Sequence, residues 1–265
     1  MNMQQKLSIV IITKNAEKLL PACLESVNWA DEIIILNTGN SDQTMKIAVN
    51  YGAKFYQSST WCGYGKQRQI AQSYTSHPMI FMIDSDERMT PELKKSILFI
   101  LQQPVTTKIV YSISRCNLFL GRFMRYSGWY PDRVIRLYPR CFQYNDNLVH
   151  ESLEYFQAKI QPLRGDLLHL TNRDFCAFQW KQCMYAQAWA KERYQKGKSY
   201  NFLSIFYCTI WAFIRTLFIR TSFLDGKQGW ILAIVISQYT FNKYTALWVL
   251  NYTSKDTQIS KNDLS

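Results

Sequence analysis

Residues 79–87 read MIFMIDSDE: five apolar residues, Met79 to Ile83, run straight into Asp84, Ser85, Asp86 and Glu87. A helix start follows at Thr90-Pro91, so the run reads as a buried strand that delivers carboxylates to its carboxyl end. In open α/β sheets ligands bind beyond those strand tips. Carboxylates alternating along a tip can hold a hard divalent cation, which keeps some waters and takes its remaining ligands from substrate phosphates. A metal–diphosphate site is therefore the functional reading. The bland reading is a turn cap at Asp84 followed by solvated loop charges, and an isolated D-x-D pattern favours it. The flanking sequence decides between the two.

Upstream, LSIVIIT (7–13) is a continuous apolar run, as in a strand covered on both faces. Leu19, Leu20, Leu24 and Val27 then recur at helical spacing. EIIILNTG (32–39) is a second apolar run and AKFYQ (53–57) a short third one. WCGYGKQRQIA (61–71) is a glycine-containing loop that passes into a helix carrying Lys66, Gln67 and Arg68. Beyond the organising strand, Thr90 caps a helix with Leu93, Ile97, Ile100 and Leu101 on one face. Four strand-to-helix alternations in roughly one hundred residues imply a parallel sheet with right-handed crossovers, a nucleotide-binding type of α/β domain.

Downstream of residue 108 the alternation stops. KIVYSISR (108–115) and RVIRLYP (133–139) read as strands. Between them GRFMRYSGWYPD (121–132) is rich in glycine, aromatics and arginine. Such a segment can stack on sugar faces and bind phosphate, or it is an ordinary aromatic-rich hairpin. NLVHESLEY (147–155) sets His150 beside Glu151. That pair is more often structural than catalytic, but a metal site at Asp86 still lacks a ligand.

The final third changes character. Residues 175–198 read as an amphipathic helix with Trp180, Tyr185 and Trp189, residues 201–214 carry no charge, and neither do residues 228–242. Both uncharged segments fall short of the roughly 18 to 20 apolar residues a spanning helix needs. Arg215, Arg220, Lys227 and Lys243 border them. Helices lying at the headgroup level of an anionic membrane show this pattern; a helical hairpin packed on the α/β domain is the other reading. Residues 255–265 read as a polar tail.

The 265 residues, 48% hydrophobic, suffice for one large core plus an appendage. The net charge of +12 is uneven, with eleven Lys or Arg against four Asp or Glu over residues 164–243, so that half faces phosphate-bearing lipid or nucleic acid. No nucleic acid is expected, because the basic residues border apolar helices and form no polar stripe. Seven cysteines without a C-x-x-C pair read as reduced, mostly buried thiols with no zinc. No basic segment followed by a long apolar one opens the chain, so the expected location is the cytoplasm.

Taken together these motifs resemble the family-two inverting glycosyltransferases with a GT-A fold. Within that family they are similar to the lipopolysaccharide core branch that adds glucose to an inner-core heptose. WCGYGKQRQIA matches "W-x-G-[FY]-G-x-Q-R", MIDSDERMTPEL matches "D-x-D-E-R-x-[ST]-x-E-L", and GWYPDRVIRLYPR matches "W-x-P-D-x-x-x-R-L". NLVHE matches "V-H-E", and FLDGKQG matches "F-[LI]-D-G-x-x-G". One stretch departs: NTGNSDQT stands where the family usually has "D-S-G-S-T-D-G-T", so Asn37 replaces an acid.

The resemblance implies an α/β, GT-A type, Rossmann-like and mostly parallel sheet flanked by helices, with a C-terminal helical membrane-associating extension. The divisions expected are 1–170 catalytic, 171–254 helical and 255–265 tail. A divalent cation, Mg²⁺ or Mn²⁺, is assigned to Asp86, with Asp84 acting directly or through water and the ribose, and His150 as a further ligand. Thr13, Asn15, Asn37 and Arg68 would contact the base and ribose. Arg136 would meet the phosphates, or else form a structural ion pair. Inversion needs a carboxylate to take the acceptor proton; Glu151 comes first and Asp132 second. The implied partners are UDP-glucose, a lipid A–core glycolipid acceptor and the inner-leaflet membrane surface. A same-fold transferase with another nucleotide sugar or a polyprenyl-linked acceptor is the nearest alternative.

Overall fold

The computed structural model describes residues 5–39, 43–146, 151–171 and 174–262. The chain divides into two compact units, Met1–Cys116 with Pro131–Leu170, and Asn117–Tyr130 with Thr171–Ser265.

In the first unit the elements run β1 (Leu7–Thr13), α1 (Leu20–Val27), β2 (Glu32–Asn37), α2 (Thr44–Asn50), β3 (Lys54–Gln57), α3 (Tyr64–Ser73), β4 (Met79–Asp84), β5 (Glu87–Met89) and α4 (Pro91–Leu101). After α4 come β6 (Ile109–Phe119), whose end passes into the second unit with β7 (Arg122–Phe123), then β8 (Asp132–Pro139), β9 (Gln143–Tyr144), β10 (Leu153–Glu154) and β11 (Lys159–His169). The main sheet has the order β3-β2-β1-β4-β8-β6-β11-β5. The strands β3, β2, β1 and β4 are mutually parallel, as the strand-helix alternation implies. Beyond β4 the sheet turns antiparallel, at β4–β8, β8–β6 and β11–β5, where the sequence no longer supplies crossover helices.

Both faces of β4 are covered, which explains its unbroken apolar run. Phe81 and Ile83 join the core built on α1 and α4, whereas Ile80 and Met82 join a second core with Ala71 of α3 and Tyr138. Each fully buried side chain of this kind contributes roughly 1.5–3 kcal/mol, enough to fix the strand while its tip carries charge.

The second unit holds the hairpin 117–130 and the helices α5 (Phe175–Gln195), α6 (Phe202–Ile214) and α7 (Lys227–Asn262). Phe119 and Met124 of the hairpin pack with Phe178 of α5 and with Leu232 and Val235 of α7. That packing puts 117–130 with the helices, although it precedes residue 170 in sequence. A π-helical turn, Arg215–Ile219, continues α6, so an apolar helical stretch of 18 residues, Phe202–Ile219, is long enough by length and composition to cross a membrane. The sequence reading had stopped it at the charge of Arg215. α7 likewise runs on to Asn262, through most of the stretch read as a polar tail. Of the seven thiols only Cys23 and Cys116 are buried, while Cys62, Cys141, Cys176 and Cys183 are exposed, which corrects the expectation of mostly buried cysteines.

Candidate active site

The carboxyl ends of the parallel strands open on a cavity of about 680 Å³, a size typical of ligand clefts. Thr13, Lys14 and Asn15 line it from the end of β1, Asp84, Ser85 and Asp86 from the end of β4, and Trp61, Tyr64 and Arg68 from the start of α3. Glu151 and His169 complete the wall. The β1–β4 register sets Ile12 against Asp84, so the two strand tips meet at the same level. Asn15 adopts a left-handed backbone, φ 51°, and its side chain occupies the place a Cβ on Gly39 would need.

Behind the cavity the charged side chains alternate in a continuous ladder. Glu151 lies 3.5 Å from Arg68, and Arg68 Nη2 donates to Asp84 Oδ1 at 2.8 Å. Arg136 Nη2 donates both to Asp84 Oδ2 at 2.6 Å and to Glu87 Oε1 at 2.8 Å. Arg115 continues the ladder from Glu87 at 3.8 Å to Asp132 at 2.7 Å. Glu87 is fully buried and accepts the Asp84 backbone N–H as well, at 3.0 Å. Burial opposes the charge on Asp84, but Arg136 and Arg68 outweigh it and hold the carboxyl well below the usual carboxylate range.

The ladder bears on three of the expected roles. Each oxygen of Asp84 already answers a buried guanidinium, whereas Asp86 is partly exposed at the cavity. Arg136 is 4% exposed, forms the ion pair that was the second of its two readings and is not among the cavity residues. Asn37 is 3% exposed; its carbonyl accepts from the Thr13 hydroxyl at 2.9 Å and its amide donates to Gly39 and Gln57. Its side chain therefore shapes the end of β2 and is not among the cavity residues. Asp132 is paired with Arg115 and is not among the cavity residues, whereas Glu151 is. His150 lies outside the described residues.

His169 was not singled out from the sequence. The β11–β5 pairing sets it opposite Glu87, and the following Leu170 N–H donates to the Asp86 carbonyl at 2.8 Å. Its Nε2 stands 3.4 Å from Asp86 Oδ2. The two side chains are close enough to share one divalent cation, which would take its further ligands from water and phosphate. No set of three His, Cys, Asp or Glu forms among the described residues. Arg68 adds a buried Nη1 with no hydrogen-bond partner among the described residues, a donor available to an anion. Trp61 and Tyr64, edge to face at 4.8 Å and half exposed, give the cavity an aromatic wall. The motif containing them was legible; their place on the wall was not.

Residues 8–168 match the sequence model described as Glycosyl transferase family 2. A Rickettsia typhi protein described as an uncharacterized glycosyltransferase is 28% identical over 269 residues, covering 97% of this chain and 92% of its own. The Rhizobium meliloti lipopolysaccharide core biosynthesis glycosyltransferase LpsC is 27% identical over 247 residues, 89% of each chain. Among solved structures, S. aureus TarS aligns with a TM-score of 0.46 and 18% identity over 68% of this chain and 39% of its own.

Proposed function

The chain belongs to glycosyl transferase family 2, and from that premise we propose that it moves glucose from UDP-glucose onto an inner-core heptose of lipopolysaccharide, with inversion at the anomeric carbon. The observation that carries this reading is one cavity at the strand tips that gathers Arg68, Asp86, His169 and Glu151. The lipopolysaccharide branch is supported by the similarity to LpsC and by the motif order described above.

Thr13 and Asn15 hold the nucleoside end, with Trp61 and Tyr64 offering faces for stacking. Asp86 and His169 would hold a Mg²⁺ or Mn²⁺ ion, which when bound neutralises charge on the diphosphate. Arg68, fixed by Asp84, presents its unpartnered Nη1 to the same anion. The acceptor oxygen attacks the anomeric carbon from the face opposite the diphosphate. The bond from that carbon to the diphosphate oxygen breaks, and its electron pair leaves with UDP. Glu151 takes the hydroxyl proton. In this reading the enzyme sits peripherally on the cytoplasmic face of the inner membrane through its second unit, which is supported by the exposed Leu203, Tyr207, Ile210 and Trp211 of α6 and by the exposed Arg215 and Arg220 that follow.

The test is UDP release from UDP-glucose, with Mg²⁺ or Mn²⁺, in the presence of a truncated lipid A–core acceptor. Acceptor-dependent release with one hexose gained by the acceptor is expected. The Glu151→Gln enzyme should lose about 10²–10⁴-fold in turnover while binding UDP normally. Release from a different nucleotide sugar would replace the donor, and wild-type turnover in the Glu151→Gln enzyme would remove Glu151 as the base.

A further inference from the structure

Building on the membrane-anchored acceptor proposed above, we propose that the loop 121–130 and the turn 220–227 form a second anion site, which takes the phosphomonoester headgroup of a lipid in the bilayer plane. The two segments are locked together by buried polar contacts. Asp225 is fully buried and accepts the backbone N–H groups of Arg125 and Tyr126 at 3.1 and 2.9 Å. Ser127 N–H donates to the Arg220 carbonyl at 2.9 Å. The Ser127 and Ser222 hydroxyls meet at 2.7 Å, and Ser222 donates onward to the Gly229 carbonyl at 2.7 Å. There is no room for a Cβ at Gly229, 1.7 Å from the Ser222 carbonyl oxygen.

The lock also holds backbone strain. Among the described residues five non-glycine positions have positive φ, and three of them, Leu120, Ser127 and Thr221, are in or beside these two segments. Strain of this kind persists only where the surroundings over-determine it, and it concentrates at ligand clamps.

What the locked segments present is cationic. Arg122, Arg220 and Lys227 are exposed, and Arg122 Nε lies 3.7 Å from Asp225, the single acid within 117–130 and 215–231. The Arg220 guanidinium lies against Gly128, where a Cβ would meet Nη1 at 3.0 Å. Phe218, Ile219, Phe223 and Leu224, on both sides of Arg220, are exposed. A guanidinium fork matches the dianionic oxygens of a phosphomonoester better than the single charge of a diester. The apolar fringe places that phosphate at a lipid surface and not in bulk water.

The full chain is sedimented with phosphatidylcholine vesicles containing phosphatidic acid or, at matched charge, phosphatidylglycerol. The wild type is expected to prefer phosphatidic acid by about fivefold or more, the scale of one basic side chain at an anionic surface. The R122A/R220A variant should lose that preference, weakening more on phosphatidic acid than on phosphatidylglycerol, and bind UDP as before. Equal partition of the wild type between the two lipids, or a preference that survives the double substitution, would overturn the site. So would saturable binding of inorganic phosphate with no vesicle preference. Glycosyl transfer is assayed in parallel: a preference that is present and lost in the variant upholds this site even if no transfer occurs, a result that counts only against the proposed reaction.

Discussion

Asp84 and Asp86 are two residues apart in one motif and do different work. Asp84 is the middle of a buried ion ladder, whereas Asp86 is partly exposed beside His169. Removing the charge at Asp84 leaves buried Arg136 with Glu87 alone and buried Arg68 with only the longer contact to Glu151. Asp84→Asn is therefore expected to cost about 3–5 kcal/mol of stability, read as a lowered urea midpoint. Asp86→Asn should change stability by about 0.5 kcal/mol or less and abolish the Mg²⁺ or Mn²⁺ dependence of UDP binding. Equal destabilisation by the two substitutions would contradict this division of labour. Thr13, Asn15, Arg68, Asp86 and Glu151 were legible because each sits in a motif next to a strand tip or a helix start. The burial of Asn37 and Arg136 was not, since it depends on partners such as Gln57, Gly39, Asp84 and Glu87 drawn in from other elements.

Among the elements, β11 had no reading as a strand. It contains Pro162 and Gly165, both of which argue against a strand interior, and its partner strand β5 is only three residues long. The glycine has a physical reason. At φ +90° Gly165 crosses the first turn of α4, where a Cβ would lie 2.2 Å from the Leu93 backbone nitrogen. Thr90, the expected cap of α4, also bonds β11: its Oγ1 donates to the Asp166 carbonyl and accepts the Asp166 N–H, both at 3.0 Å. Gly165→Ala should cost at least about 1–2 kcal/mol from the backbone alone, and more from the clash. It should also weaken metal-dependent UDP binding, because His169 ends the same strand. A variant with wild-type melting and wild-type metal dependence would refute the link between this crossing and the site.

At the scale of the whole molecule, charge is distributed by task. The second unit carries fourteen Lys or Arg against five Asp or Glu, most of the net +12. The first unit instead buries its charges in pairs, which sets its response to acid. Burial opposes ionisation of Glu32, but hydrogen bonds from Lys54, Ser76 and Ser8 outweigh it and lower its pKa from 4.5 to about 2. A lowered folded pKa means stability that is fully present above pH 4.5 and is lost as the pH falls towards 2. Glu32→Gln should thus cost on the order of 3 kcal/mol at neutral pH and flatten the acid limb, followed by urea titration between pH 7 and 2. A wild type whose stability is constant down to pH 2 would rule this out. Local pattern was enough for the parallel half of the sheet, the placement of the acids at a strand tip and the family, because apolar periodicity and short motifs are properties of neighbouring residues. Three outcomes came with folding: Asp84 is ion-paired while Asp86 is partly exposed at the cavity, His169 joins Asp86, and 117–130 packs with the helices. Those outcomes depend on pairings between residues tens of positions apart, where burial and charge compensation, not local pattern, choose the partner.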